Sequence, residues 1–178
     1  PANYWMHGEF LLINGGKMSK SLGNVYLLQD IVDRGYDPLV YKLFCYSIQY
    51  RKKLNFTWEG IDSAKIALDR LREAYQKHLT GTEDVAEELI SKYEKDFNEA
   101  INDDLNMPVA MSVVWEVAKR TEKSKKLAEL LKKFDRVLGI KIDEHKEEEI
   151  PDDIKELLTK RAEARKNKDW AESDKIRD

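Results

Sequence analysis

The stretch Lys17-Met18-Ser19-Lys20-Ser21, set between Gly15-Gly16 and Gly23-Asn24, is the point from which the rest of the chain can be read. Two lysines three residues apart, with small hydroxyl side chains between and after them and glycine at both ends, describe a mobile cationic loop. Glycine tolerates positive φ, so the flanks can hinge while Lys17 and Lys20 swing onto an anion. A polyphosphate suits such a loop. Charge that develops on pyrophosphate as it leaves an α-phosphate can be stabilised by ammonium groups that are distant in the ground state. The competing reading is a solvated turn whose lysines only keep the surface charged, which is what most Lys/Ser/Gly clusters are.

On either side of the loop the pattern changes. Tyr4-Trp5-Met6-His7 and Phe10-Leu11-Leu12-Ile13 read as two short β segments about Gly8-Glu9, rich in the aromatic and branched residues that strands favour. They deliver the loop to the end of a strand, where open α/β folds hold their ligands. Trp5 and His7 read as packing residues. A strand pair alone is marginal in water, so the residues before Asn24 are expected to be poorly packed.

Beyond Asn24 the chain reads as helical. Leu27, Leu28, Ile31 and Val32 repeat at helical spacing up to a stop at Gly35, and Asp37-Pro38 opens a second helix with an N-cap and a first-turn proline. That helix carries Val40, Tyr41, Phe44 and Ile48 and ends on Tyr50-Arg51-Lys52-Lys53, where basic side chains complement a helix dipole. Thr57 caps a long helix striped by Ile61, Ala64, Leu68, Leu71 and Tyr75, broken at Thr80-Gly81. Thr82 is expected to cap the next, with Leu89, Tyr93, Phe97 and Ile101 on one side. After a turn at 103–108, Asn106 caps a helix bearing Val109, Val113, Val117 and Thr121. Another helix from Ser124 carries Leu127, Leu130, Leu131, Phe134 and Leu138 before stopping at Gly139. Short connections make these antiparallel neighbours.

Composition narrows the rest. The 178 residues are 42% hydrophobic and 37% charged, with a formal charge of −3, so any nucleic-acid contact must come from local basic faces. One such face is Lys119, Arg120, Lys123, Lys125, Lys126, Lys132, Lys133 and Arg136. A single cysteine, Cys45, excludes an intrachain disulfide and a thiolate zinc site, and within an apolar helical run it reads as a core residue. No apolar run approaches a membrane span and nothing resembles a signal peptide, which makes the cytoplasm the expected compartment. Residues 143–149 form an acidic linker, and beyond Pro151 a small terminal unit carries Arg161, Arg165, Lys166, Lys168 and Trp170. The chain opens on Pro1 and closes on Lys175-Ile176-Arg177-Asp178 in mid-helix pattern, and it reads as a piece of something longer.

Lys-Met-Ser-Lys-Ser followed by Leu-Gly-Asn, after a short apolar run and a Gly-Gly, resembles the second signature of class I aminoacyl-tRNA synthetases. Three later stretches are similar to the cysteinyl family of that class: Asp37-Pro38 through Tyr50-Arg51-Lys52-Lys53-Leu54-Asn55-Phe56, the turn Asp103-Asp104-Leu105-Asn106-Met107-Pro108-Val109-Ala110, and the run from Arg161 through Lys168-Asp169-Trp170 to Asp178. Departures are Lys42 for the usual Arg, Gln49 for a frequent His and Met107 for Thr. The resemblance implies a mostly α chain: the end of a Rossmann-like α/β catalytic domain (1–25), a helical connector to the tRNA stem (26–60), an antiparallel helical bundle (61–140), and a linker with the start of an anticodon-recognition unit (141–178).

It further implies ATP-dependent activation of cysteine and its transfer to cysteine tRNA, with Mg2+ and, in the longer enzyme, Zn2+ whose ligands lie upstream of Pro1, so no metal is expected in this chain. Lys17 to Ser21 would be the ATP-phosphate loop, with Lys17 and Lys20 stabilising phosphate. Tyr50, Arg51, Lys52 and Lys53 would meet the tRNA stem, and Arg161, Arg165, Lys168 and Trp170 the anticodon end. A monomer is expected, inactive as this piece alone. Two rivals are a cysteine:sugar ligase on the same scaffold and a non-catalytic helical RNA-binding module.

Overall fold

The computed structural model describes residues 2–144 and 159–160. Contacts divide the chain into two units, 1–145 and 146–178; of the second only Thr159 and Lys160 are described, both helical. Arg161, Arg165, Lys168, Trp170 and the terminal apolar positions lie outside the described residues.

Three short strands form one sheet. β1 (Leu11–Ile13) pairs antiparallel with β2 (Gly16–Lys17) and parallel with β3 (Leu54–Phe56), giving the order β2-β1-β3. The hairpin between β1 and β2 turns at Asn14-Gly15, both in the left-handed region (φ 49 and 78), the pairing of residue types that tight hairpins use. This corrects the sequence reading in two places. Tyr4–His7 is not a strand: no edge pairs with it, Trp5 is 77% exposed, and its ring stacks on His7 with centroids 6.1 Å apart. The hairpin is also not left to itself, because β3 supplies the partner that a lone strand pair lacks. Ile13 and Phe56 are both buried at one end of the core.

Helices follow in the order α1 (Leu28–Asp33), α2 (Pro38–Cys45), α3 (Trp58–Leu79), α4 (Glu87–Asn102), α5 (Met107–Ala118) and α6 (Lys125–Leu138). Asp37 caps α2 by accepting from the Leu39 N–H at 2.9 Å, and Thr57 caps α3 by accepting from the Gly60 N–H at 3.0 Å. Of the α1 stripe only Ile31 is buried; Leu27, Leu28 and Val32 face outward. α2 stops at Cys45, short of the end expected over Tyr50 to Lys53, so Arg51 to Lys53 lie in a turn leading into β3 instead of a last helical turn. Cys45 is partly buried, and burial pushes its thiol pKa up, as suits a packing residue.

Thr82 does not cap α4. It bridges Ser124 in an isolated antiparallel pair, and α4 begins after Ala86. The backbones meet closely here: a Cβ on Gly81 would fall 2.1 Å from the Lys123 carbonyl, so only glycine fits. The Asn106 side chain does not cap α5: its carbonyl accepts the Ala110 N–H at 3.0 Å, but its side-chain amide donates to Asp103 Oδ2 at 3.1 Å instead; Val109 is exposed, and Thr121 lies past the end of the helix.

One contiguous core runs from Ile13 to Ile142, with Phe97 of α4 and Phe134 of α6 stacked 4.1 Å apart at its centre. α6 ends on Gly139 in the left-handed region (φ 58). Its last carbonyls, which no helix can satisfy internally, accept from α2: Tyr46 Oη to Leu138 O at 2.7 Å and Lys42 Nζ to Gly139 O at 3.1 Å. The buried Asp135 carboxylate takes the Ile140 and Ile142 N–H groups at 2.8 and 3.1 Å. The chain therefore stays in the core up to Ile142, where the acidic run begins.

His78 is fully buried at the end of α3, its Nε2 3.1 and 3.3 Å from the carbonyls of Val117 and Ala118, while Nδ1 has no partner among the described residues. Two carbonyls around Nε2 require a proton there, so the neutral ring fits. Burial, and then the charge of Lys123, lower its pKa. A folded-state pKa below the unfolded value of about 6.5 leaves stability flat above that pH and lowers it as pH falls, by at most about 1.4 kcal/mol per unit. The urea midpoint is expected to drop between pH 7 and pH 5, and to drop less in His78→Gln; equal drops would show that His78 does not carry the effect.

Candidate functional site

The loop after β2 is more ordered than its glycines suggest. Lys17 is the last residue of β2, Ser19 is extended, and Lys20–Leu22 makes one 3-10 turn that closes on Gly23 in the left-handed region (φ 64). Asn24 holds the two ends together: its Oδ1 accepts from the Ser19 N–H at 2.8 Å and its Nδ2 donates to the Lys17 carbonyl at 3.0 Å. Ser19 and Ser21 hydroxyls meet at 2.7 Å. Met18 is partly buried and packs against the core, so the side chain between the lysines anchors the loop while its neighbours face water.

Lys17 and Lys20 are exposed, and neither forms an ion pair among the described residues. Among the described residues, eight other lysines do. Lys126 bonds Asp84 and Glu87, both at 2.8 Å, which raises its pKa; Lys132 meets Asp143 at 2.5 Å; Lys133 meets Glu94. Of the basic face expected on the last two bundle helices, Arg120, Lys126, Lys132 and Lys133 are thus matched by acids, while Lys119, Lys123, Lys125 and Arg136 form no ion pair among the described residues. An uncompensated pair of ammonium groups beside a tight turn makes the loop a place where an added anion finds charge that no acid of the described residues already engages.

The second group of expected residues lies in the turn after α2. Asp104, in the α4–α5 turn, accepts Tyr50 Oη at 2.7 Å, Arg51 Nε at 2.6 Å and Nη2 at 3.2 Å, and Gln49 Nε2 at 3.2 Å. Arg51 first, then Tyr50, hold the Asp104 carboxyl below the usual carboxylate range, and the same bond raises the Tyr50 hydroxyl. Lys52 and Lys53 are exposed beside this clamp without an ion pair among the described residues. The sequence reading placed Tyr50, Arg51, Lys52 and Lys53 together as contacts for a nucleic acid; the structure brings all four into one turn but engages the first two with Asp104. Asn24 and Asp104 carry these arrangements and had no assigned role, since nothing in their local sequence shows the partner each would find.

Among the described residues no helix is long and apolar enough to cross a membrane, and no cluster of three or more His, Cys, Asp or Glu could hold a metal ion.

Residues 1–66 match the family model described as tRNA synthetases class I (C) catalytic domain, and residues 96–143 match the DALR domain. Among curated proteins, the chain is 40% identical to cysteine–tRNA ligase 1 of Burkholderia lata over 99% of its own length and 37% of that protein's. It is 40% identical to the cysteine–tRNA ligase of Staphylococcus carnosus, over 99% of this chain and 42% of the relative. For the Protochlamydia amoebophila enzyme the identity is 35%, over 99% and 40%. The chain therefore spans about two fifths of the length of the relatives it matches.

Proposed function

We infer, for a chain that belongs to the class I cysteinyl-tRNA synthetase family, that Lys17 and Lys20 are the phosphate-stabilising groups of a cysteine–tRNA ligase. The observation that carries this reading is the loop: two exposed ammonium groups without acid partners among the described residues, on a turn flanked by left-handed glycines and tied at its base by Asn24. In the longer protein the reaction is ATP-dependent adenylation of cysteine, followed by transfer to its tRNA. Adenylation breaks the bond between the α- and β-phosphates, and the negative charge grows on departing pyrophosphate. Lys20 sits on a turn closed by two bonds of 3.2 Å, Ser19 O to the Leu22 N–H and Lys20 O to the Gly23 N–H. Few interactions need to break for it to move onto that charge, which is the condition for a group that acts mainly in the transition state.

We assign residues 1–25 to the edge of the catalytic domain, 26–60 to a connector facing the tRNA stem, 61–140 to the bundle, and 141–178 to a linker and terminal RNA-recognition unit with Arg161, Arg165, Lys168 and Trp170. Tyr50, Arg51, Lys52 and Lys53 are proposed for the stem, with Lys52 and Lys53 the two free to meet phosphate. Mg2+ is proposed to accompany ATP. Zn2+ is proposed for the longer protein; the described residues offer it no donor set, and no step is drawn through it. The cysteine:sugar ligase and the non-catalytic RNA module are less favoured, since the similar proteins are cysteine–tRNA ligases. Cysteine-dependent ATP–pyrophosphate exchange by the longer protein, with charging of cysteine tRNA, tests the reading. Exchange without tRNA charging would favour the sugar ligase, and no exchange would leave the RNA module.

A further inference from the structure

Asp104 lies far from the signature loop in sequence, yet two short chains of hydrogen bonds lead from one to the other. Asp104 and Leu105 hold φ 51 and 53, left-handed positions that residues other than glycine occupy only when their surroundings sustain them. The Asp104 carboxylate fixes Tyr50 and Arg51 by three bonds of 2.6 to 3.2 Å. From Tyr50 one route is immediate: its carbonyl accepts from the Glu9 N–H at 2.8 Å, on the segment that enters β1. The other runs through the turn into β3, where Leu54, Asn55 and Phe56 pair with Leu11, Leu12 and Ile13. At the end of β3 the Asn55 side chain accepts from the Gly15 N–H at 2.7 Å, and Phe56 O from the Asn14 N–H at 3.0 Å. Asn14-Gly15 is the hairpin turn from which β2 carries Lys17, and Lys17 is tied through Asn24 to Ser19.

We propose that Asp104 is a positioning residue for the signature loop: by fixing Tyr50 and Arg51 it sets the placement of β3, and through Asn55 the hairpin turn that carries Lys17. The proposal rests on the reading of that loop as the phosphate site. It gives Tyr50 and Arg51 a part in the clamp and leaves Lys52 and Lys53 as the cations beside it. A side chain in the α4–α5 turn of the helical bundle thereby acts on chemistry at the sheet without touching a substrate.

Amide hydrogen exchange on this chain and adenylation kinetics on the longer ligase test it together. In Asp104→Asn, which weakens the charge-assisted bonds to Arg51, the Gly15 and Ser19 amides should exchange about tenfold faster or more, with α3 and α6 amides unchanged. Asp104→Glu should recover part of the protection. Asn55→Ala, which cuts the route at its other end, should give the same loop signature without disturbing Asp104. In the ligase, Asp104→Asn should lower the adenylation rate constant about tenfold with KM for cysteine unchanged. Unchanged exchange at Gly15 and Ser19 overturns the proposal, as does faster exchange throughout α3 and α6, which would mark a role in general stability only. Faster loop exchange with normal adenylation overturns it too, provided that Lys20→Ala is slow in the same assay. If Lys20→Ala is itself normal, the phosphate-site reading fails, and the inference falls with it.

Discussion

Lys20→Ala in the longer ligase is expected to slow cysteine adenylation by about 100- to 1000-fold, the loss seen when one preorganised donor to developing charge is removed. KM for cysteine should hardly move, because Lys20 contacts charge that appears only as pyrophosphate departs. The structure bears on the size of the effect in two ways. Lys20 is exposed and has no acid partner among the described residues to compete for its charge, so the whole ammonium is available to the phosphates. Lys17 shares the phosphate role, but its backbone is held in β2 and tied by Asn24, so its ammonium acts from its own place on the loop and replaces only part of what Lys20 supplies. Single-turnover measurement of adenylate formation checks this, with Lys20→Arg expected to retain part of the rate because it keeps the charge in a different shape. An unchanged rate in Lys20→Ala would remove the loop from the chemistry.

Which features could be read in advance follows from where each one's partner lies. Caps are local: Asp37 before Pro38, Thr57 before Trp58 and the stop at Gly139 were legible because donor and acceptor sit within a turn of each other. So were the buried stripes of α3 and α6, whose period alone names the core face. β3 was not legible. It is three residues long, follows basic residues that suit a helix end equally well, and is a strand only because Leu11–Ile13 lies beside it. Tyr4–His7 shows the converse, good strand residues with no edge to join. Thr82 resembles a cap in every local respect but is claimed by Ser124. The site divides the same way. Lys17 and Lys20 were visible as a motif, while Asn55 and Asp104 act on residues some 40 to 54 positions away, and sequence spacing carries no trace of that.

Arg72→Leu is expected to destabilise the chain by about 3 to 5 kcal/mol, the range for breaking one side of a buried ion pair. Arg72 sits on the buried side of α3 with its side chain 7% exposed. Both Nη atoms donate to Asp37 Oδ2 at 3.2 Å, Nε donates to Lys141 O at 3.2 Å, and Nη2 also approaches Ile140 O and Glu144 Oε2 at 3.4 Å. Leucine fills part of the volume and replaces none of these bonds. The same guanidinium joins the cap of α2 to the segment that leaves α6, so its loss loosens both at once. Glu144→Gln is the contrast. Glu144 is 44% exposed and also bonds Lys141, and a pair in that setting contributes no more than about 1 kcal/mol. Thermal unfolding of the two variants should therefore separate by about 10 °C, and raising salt should shrink the Glu144 effect while leaving the Arg72 effect nearly intact, since buried pairs are poorly screened. Equal, salt-sensitive losses would mean that Arg72 behaves as a surface residue, and that the segment after α6 is held by the Asp135 bonds and the burial of Ile140 and Ile142 without it.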